Sequence, residues 1–150
     1  MNDKTQGWRL PAIATALAVA ACNGAQNPEP EAVAKAAVSI DQGRWNIASI
    51  NGNAPVSGVD SWLEIDLAGG SVTGNAGCNN FFASFEGELD NLQMGPVGGT
   101  KKMCPGDPMA QEAAVYEILG GATAMRVSAA GELVVESSGG QLTAKPAKKG

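Results

Sequence analysis

Glycine recurs at short intervals along this chain, and most of the runs it separates are short and alternate between apolar and polar residues. Ser61–Leu67 is the clearest: Leu63, Ile65 and Leu67 point one way, Trp62, Glu64 and Asp66 the other, and Gly69-Gly70 follows at once. A period of two, cut by residues that tolerate positive φ, is the pattern of antiparallel strands joined by tight turns. Twenty glycines and eight prolines in 150 residues fit a turn-rich β domain and not a helical bundle. The length suits one domain with at most a short appendage.

The same pattern predicts the other elements. Arg44–Ile50 alternates with Trp45, Ile47 and Ser49 on one face and ends in the turn Asn51-Gly52. Ser71–Gly77 carries Val72 inward, and Phe81–Glu88 puts Phe81, Ala83 and Phe85 on one face. Leu89–Met94 is a short strand stopped by Gly95-Pro96. One helix is predicted, capped by Asp107 with Pro108 in its first turn. Its apolar stripe is Met109, Ala113, Val115, Tyr116 and Leu119, and Gly120-Gly121 ends it. Ala124–Ala129, Glu132–Ser137 and Gln141–Lys145 complete the set. The expected fold is mainly β (α+β): a strongly bent antiparallel sheet or partly open barrel of about eight short strands with one packed helix.

The first residues read as an address. Lys4 and Arg9 precede an apolar run, Leu10–Ala21, too short to span a bilayer. Val19-Ala20-Ala21-Cys22 resembles the bacterial lipobox, in which the cysteine thiol receives a diacylglycerol and becomes the new N-terminus. Residues 1–21 are therefore expected to be a lipoprotein signal peptide, 22–42 a flexible tether, 43–145 the folded domain and 146–150 a basic tail. Several acyl chains anchor firmly where one does not. Asn23, in place of an aspartate after the cysteine, points to an outer-membrane anchor facing the periplasm. Loss of Lys4, Arg9 and Asp3 takes the formal charge from −5 to −6.

Charge and composition also exclude chemistry. Without a histidine the chain cannot build a Ser-His-Asp, Cys-His or His-ligated metal centre. Its acidic balance argues against nucleic-acid binding. Glu64 with Asp66 near Asp60, and the row Glu86, Glu88, Asp90, could be acid–base pairs or a weak cation site, but alternation makes them wetted strand faces. Lys101-Lys102 is a solvated loop pair or the contact for an anionic partner. Trp62, on the polar face, is either packed under a loop or an exposed contact. Gly74 and Gly77 allow a tight backbone excursion in which Asn79 can bond its own backbone; a glycine-lined ligand site is the alternative, although no lysine follows and the P-loop spacing is absent. No catalytic residue, metal ligand or cofactor is expected.

Cys78 and Cys104 remain once Cys22 is acylated, and an even pair in an exported domain reads as a disulfide closing a loop of about 27 residues. Two buried thiols or a redox pair are the alternatives, although the Cys-x-x-Cys spacing is absent.

Gly74-Asn75-Ala76-Gly77-Cys78-Asn79 with Phe81 and Phe85, and Thr100-Lys101-Lys102-Met103-Cys104-Pro105 with Met109, Gln111 and Glu112, resemble the META domain of HslJ-like envelope proteins. The late strands around Leu133-Val134-Val135 and Gln141-Leu142 add to the likeness, as does the Trp45, Ile47, Asn51-Gly52 opening. Ala83 stands where the family usually has glycine and Phe85 where it often has tyrosine. The resemblance marks Gly77, Cys78, Asn79, Thr100, Met103, Cys104 and Glu112 as motif residues. It implies a non-catalytic envelope protein linked to stress, drug resistance or virulence-associated secretion, with an envelope protein as partner. The family's likeness in shape to cracked-barrel pilotin lipoproteins implies an alternative, a carrier of a lipid or small apolar ligand with Phe81, Phe85 and Tyr116 lining the pocket.

Overall fold

A computed structural model of the chain describes residues 39–40 and 43–148. The expected signal peptide, the expected lipid site at Cys22 and most of the expected tether lie outside the described residues.

Among the described residues nine strands and one helix follow in order: β1 (Arg44–Ile50), β2 (Trp62–Asp66), β3 (Ser71–Asn75), β4 (Asn80–Glu88), β5 (Asn91–Met94), β6 (Gly98–Gly99), α1 (Asp107–Gly120), β7 (Ala122–Val127), β8 (Leu133–Ser137) and β9 (Gly140–Pro146). Eight of them form an antiparallel sheet in the order β5-β4-β3-β2-β1-β9-β8-β7, and the two-residue β6 pairs with β4 beside β5. The sheet curls until its ends nearly meet: Met125 N–H in β7 donates to the Leu89 carbonyl before β5, 2.7 Å. The result is a nearly closed, mainly β barrel with one helix packed against β1, β8 and β9. Closure protects the sheet edges that short strands would otherwise expose.

Alternation places the core. Trp45, Leu63, Ile65, Val72, Phe81, Ala83, Phe85, Leu133, Val135, Leu142 and Ala144 point inward from the strands, and Val115, Ile118 and Leu119 meet them from the helix. Trp45 anchors one end, with its indole Nε1–H donating to the Ile40 carbonyl at 2.9 Å. A buried indole needs such a partner.

Five local expectations are corrected. Ile50, and not Ser49, is buried beside Ile47, because a register shift between Ile47 and Ser49 turns the end of β1 over. Leu67 lies beyond the end of β2 and is 36% exposed. Leu89 sits in the turn between β4 and β5, so that strand starts at Asn91. Gly106 holds the N-cap position and Asp107 is the first helical residue, an acid suited to the helix N-terminus. The helix buries Gln111, Glu112, Val115, Ile118 and Leu119 and leaves Ala113 exposed, so its inward face is rotated from the apolar stripe.

Candidate functional site

The motif residues converge where the β3–β4 turn, the segment 100–104 and the first turns of α1 meet. Gly77 holds φ +137°, and its N–H donates to Asn75 Oδ1 at 2.8 Å. That turn carries Cys78 and Asn79 inward toward the helix; Gly74 lies within β3, where the Phe81 ring occupies the space a side chain would need.

Asn79 is 1% exposed and both ends of its amide are saturated. Oδ1 accepts from Thr100 Oγ1 and from Lys102 N–H, each at 2.7 Å. Nδ2 donates to the Lys102 carbonyl and to Glu112 Oε1, each at 3.1 Å. The backbone N–H of Asn79 donates to Glu112 Oε2 at 2.8 Å. The Asn79 side chain thus bonds the 100–104 segment and the helix and not its own turn, which is closed by the backbone bond from Ala76 N–H to the Asn79 carbonyl at 3.1 Å. Thr100 N–H donates to the Asn80 carbonyl at 3.0 Å, and Asn80 N–H donates to Thr100 Oγ1 at 3.2 Å. Cys78 and Cys104 are joined by a disulfide. Residues 100–104 belong to no helix or strand, so their backbone groups need partners from elsewhere. Asn79 supplies two of them, and together with the disulfide it makes the segment a strap pinned to the barrel.

Gln111 makes a second tie. Its Nε2 donates to Ser61 Oγ and to the Ala76 carbonyl, both at 2.8 Å, and its Oε1 accepts from Val56 N–H at 2.6 Å. Two polar side chains on the inward helix face are therefore fully used, as burial requires.

Outside the strap the surface changes character. Met103 is 90% exposed, and Lys101 and Lys102 are exposed beside it. Between the strap, Val97–Gly99 and the helix runs a groove of about 370 Å³, with Met103, Met109, Glu112 and Tyr116 in its walls. Tyr116 packs edge-to-face on Phe81, ring centroids 6.2 Å apart. Its hydroxyl oxygen is buried and has no hydrogen-bond partner among the described residues. Burial, and then the nearby Glu112 carboxylate, raise the phenol pKa above its ordinary value. A Cβ on Gly99 would overlap that hydroxyl and come within 2.7 Å of the Asn80 carbonyl, so only glycine fits there. Of the expected pocket residues, Tyr116 lines this groove, while Phe81 and Phe85, 2% and 7% exposed, are core side chains.

The remaining candidates lie apart. Glu64 and Asp66 are on the solvent face of β2, and Glu86, Glu88 and Asp90 are exposed. No group of three or more carboxylate or cysteine side chains among the described residues is placed to hold a metal ion. Trp62 is half-buried under the Arg44 guanidinium, 4.7 Å from the ring centroid, and Arg44 is ion-paired with Asp60. A larger cleft of about 790 Å³ runs past Arg44, Asp60, Lys145 and Lys148, but two of its three cations are paired: Arg44 with Asp60, and Lys145 with Glu132 at 3.5 Å.

Ile118 and the inward Gln111 and Glu112 were outside the apolar stripe read from sequence. The family motif, which includes Glu112, was the one signal that could have found the carboxylate.

The family model for the META domain matches residues 38–149. An NMR structure of a protein from Burkholderia xenovorans is similar, at 21% identity and a TM-score of 0.54, covering 83% of this chain and 99% of that one. A second NMR structure is similar at 19% identity and a TM-score of 0.57, covering 70% of this chain and 89% of that one. At these identities the likeness is one of fold. Comparison with curated proteins gave no match.

Proposed function

The chain belongs to the META-domain family, and from that premise we propose that it is a lipid-anchored envelope protein that binds a partner through its strap face and transforms nothing. The observation that carries the reading is how the motif divides its work. Asn79, Thr100 and Glu112 use their polar atoms to pin the strap, and Met103, the motif residue turned fully outward, is 90% exposed on it. A large apolar side chain held out on a rigid support is the arrangement of a contact residue.

The anchor rests on the lipobox-like Val19-Ala20-Ala21-Cys22, and Asn23 in place of an aspartate supports an outer-membrane position on the periplasmic side. A second reading, carriage of a small apolar ligand, is favoured by the unpartnered Tyr116 oxygen beside the groove, whose volume suits a small molecule.

Crosslinking in intact cells from a photoreactive residue at position 103 tests the contact. A discrete protein adduct that is absent when the photoreactive residue is moved to Glu86 supports partner binding; no adduct from position 103 refutes it. A small-molecule mass shift in native mass spectrometry of the purified protein would favour the carrier. Metabolic labelling with a fatty acid should mark the native protein and leave Cys22→Ser unmarked; a labelled Cys22→Ser would overturn the anchor.

A further inference from the structure

We propose that the strap face takes an extended segment of a partner protein that is both acidic and apolar, laid along the open edge of β6. The inference rests on the reading of this chain as a binding protein and names the chemistry of what it binds. Among the described strands β6 pairs with β4 only, so its other edge has no ladder partner. Gly98 and Gly99 carry no side chains to keep a second backbone away, and they stand where a ligand backbone can come close. Phe82 covers the Gly98 face and Tyr116 the Gly99 face, which keeps the short strand in place. An extended peptide added to such an edge gains affinity from main-chain bonds and selectivity from its side chains.

The selectivity is written in the strap. Lys101 and Lys102 stand side by side, exposed, and neither pairs with a carboxylate among the described residues. Of the other described cations, Arg44, Arg126 and Lys145 are ion-paired, and Lys148 lies in the separate cleft beside Arg44. Two unpaired cations on a chain of net charge −5 select an acidic partner by complementarity. Met103 follows directly, with Met109 and Val97 half-buried across the groove. Methionines adapt to apolar side chains of varied shape. Glu112 keeps its charge in the groove wall while both its oxygens accept from Asn79, so the partner's acidic group belongs at the exposed Lys101 and Lys102 and its apolar side chain in the groove.

The test is selection of short random peptides displayed on phage against the immobilised full chain carrying Cys22→Ser. Selected peptides are expected to combine an apolar residue with Asp or Glu. On the Lys101→Glu/Lys102→Glu background the same library should yield apolar peptides with Lys or Arg instead. Met103→Ser should weaken the best wild-type peptide by about tenfold or more, the scale of one buried apolar side chain. These side chains are exposed, so thermal unfolding of each variant should match the parent. No enriched peptide, or enrichment indifferent to both sets of changes, overturns the proposal. So does binding of decanoate in place of peptides, or self-association that the charge reversal abolishes; these assign the face to a small amphiphile or to a second copy. An in-cell protein adduct from position 103 together with failure here would leave partner binding standing and sink the peptide chemistry alone.

Discussion

Asn79→Ala should be among the most damaging single substitutions in this domain, although it removes little apolar surface. The side chain makes four hydrogen bonds, three to Thr100 and Lys102 on the strap and one to Glu112. The strap partners lie near the surface and water can replace Asn79, so each of those losses costs about 0.5 kcal/mol. Glu112 is 8% exposed and would lose one of its two donors while still buried, which costs about 2–3 kcal/mol. The expected loss is about 4 kcal/mol, a large share of the roughly 5–15 kcal/mol that holds a domain folded. It corresponds to a fall in Tm of roughly 15 °C for a domain of this size. Urea unfolding followed by tryptophan fluorescence measures it, since Trp45 is 1% exposed when folded. A double-mutant cycle with Glu112→Ala should show a coupling of about 2 kcal/mol. A loss below about 1 kcal/mol for Asn79→Ala, or no coupling to Glu112, would refute the view that this amide pins the strap.

Replacing the disulfide by Cys78→Ser/Cys104→Ser, which opens a cross-link between residues 26 apart, should cost about 3.5 kcal/mol in urea unfolding on the chain-entropy model. Tyr116→Phe removes an unpartnered buried hydroxyl and should be neutral or stabilising by about 1 kcal/mol, measured the same way. Because folding raises the Tyr116 pKa, its contribution is intact below the ordinary tyrosine value of about 10 and is lost as pH rises from there through the folded value. Wild type should therefore lose more stability at alkaline pH than Tyr116→Phe, and with a single tyrosine in the chain, phenolate absorbance follows this titration directly. Gly99→Ala should destabilise by about 2 kcal/mol or more through overlap with the Tyr116 hydroxyl and the Asn80 carbonyl, and Tyr116→Phe should recover part of that loss but not all of it.

Where a residue's environment is set by its own strand, it could be read in advance. Leu63 and Ile65, or Phe81, Ala83 and Phe85, alternate cleanly and are buried as the pattern requires. Reading failed where a distant group decided the outcome. The shift between Ile47 and Ser49 in the pairing with β9 exchanges Ser49 for Ile50, and nothing local to β1 marks it. Gln111 and Glu112 point inward against their polarity because Ser61, Ala76 and Asn79, far away in the chain, give them partners. Apolar periodicity cannot register a polar side chain whose burial is compensated elsewhere. The strap has no period at all, so its ties to Asn79, Asn80 and Cys78, all distant in the chain, determine that Met103 faces out. The same logic bears on the motif. Cys78, Asn79, Thr100, Cys104 and Glu112 are needed wherever a strap of this shape crosses this barrel, whatever the strap then contacts. Those five residues therefore mark the fold, whereas Lys101, Lys102 and the motif's own Met103 hold nothing in place, and under the binding proposal the choice of partner falls to these outward side chains.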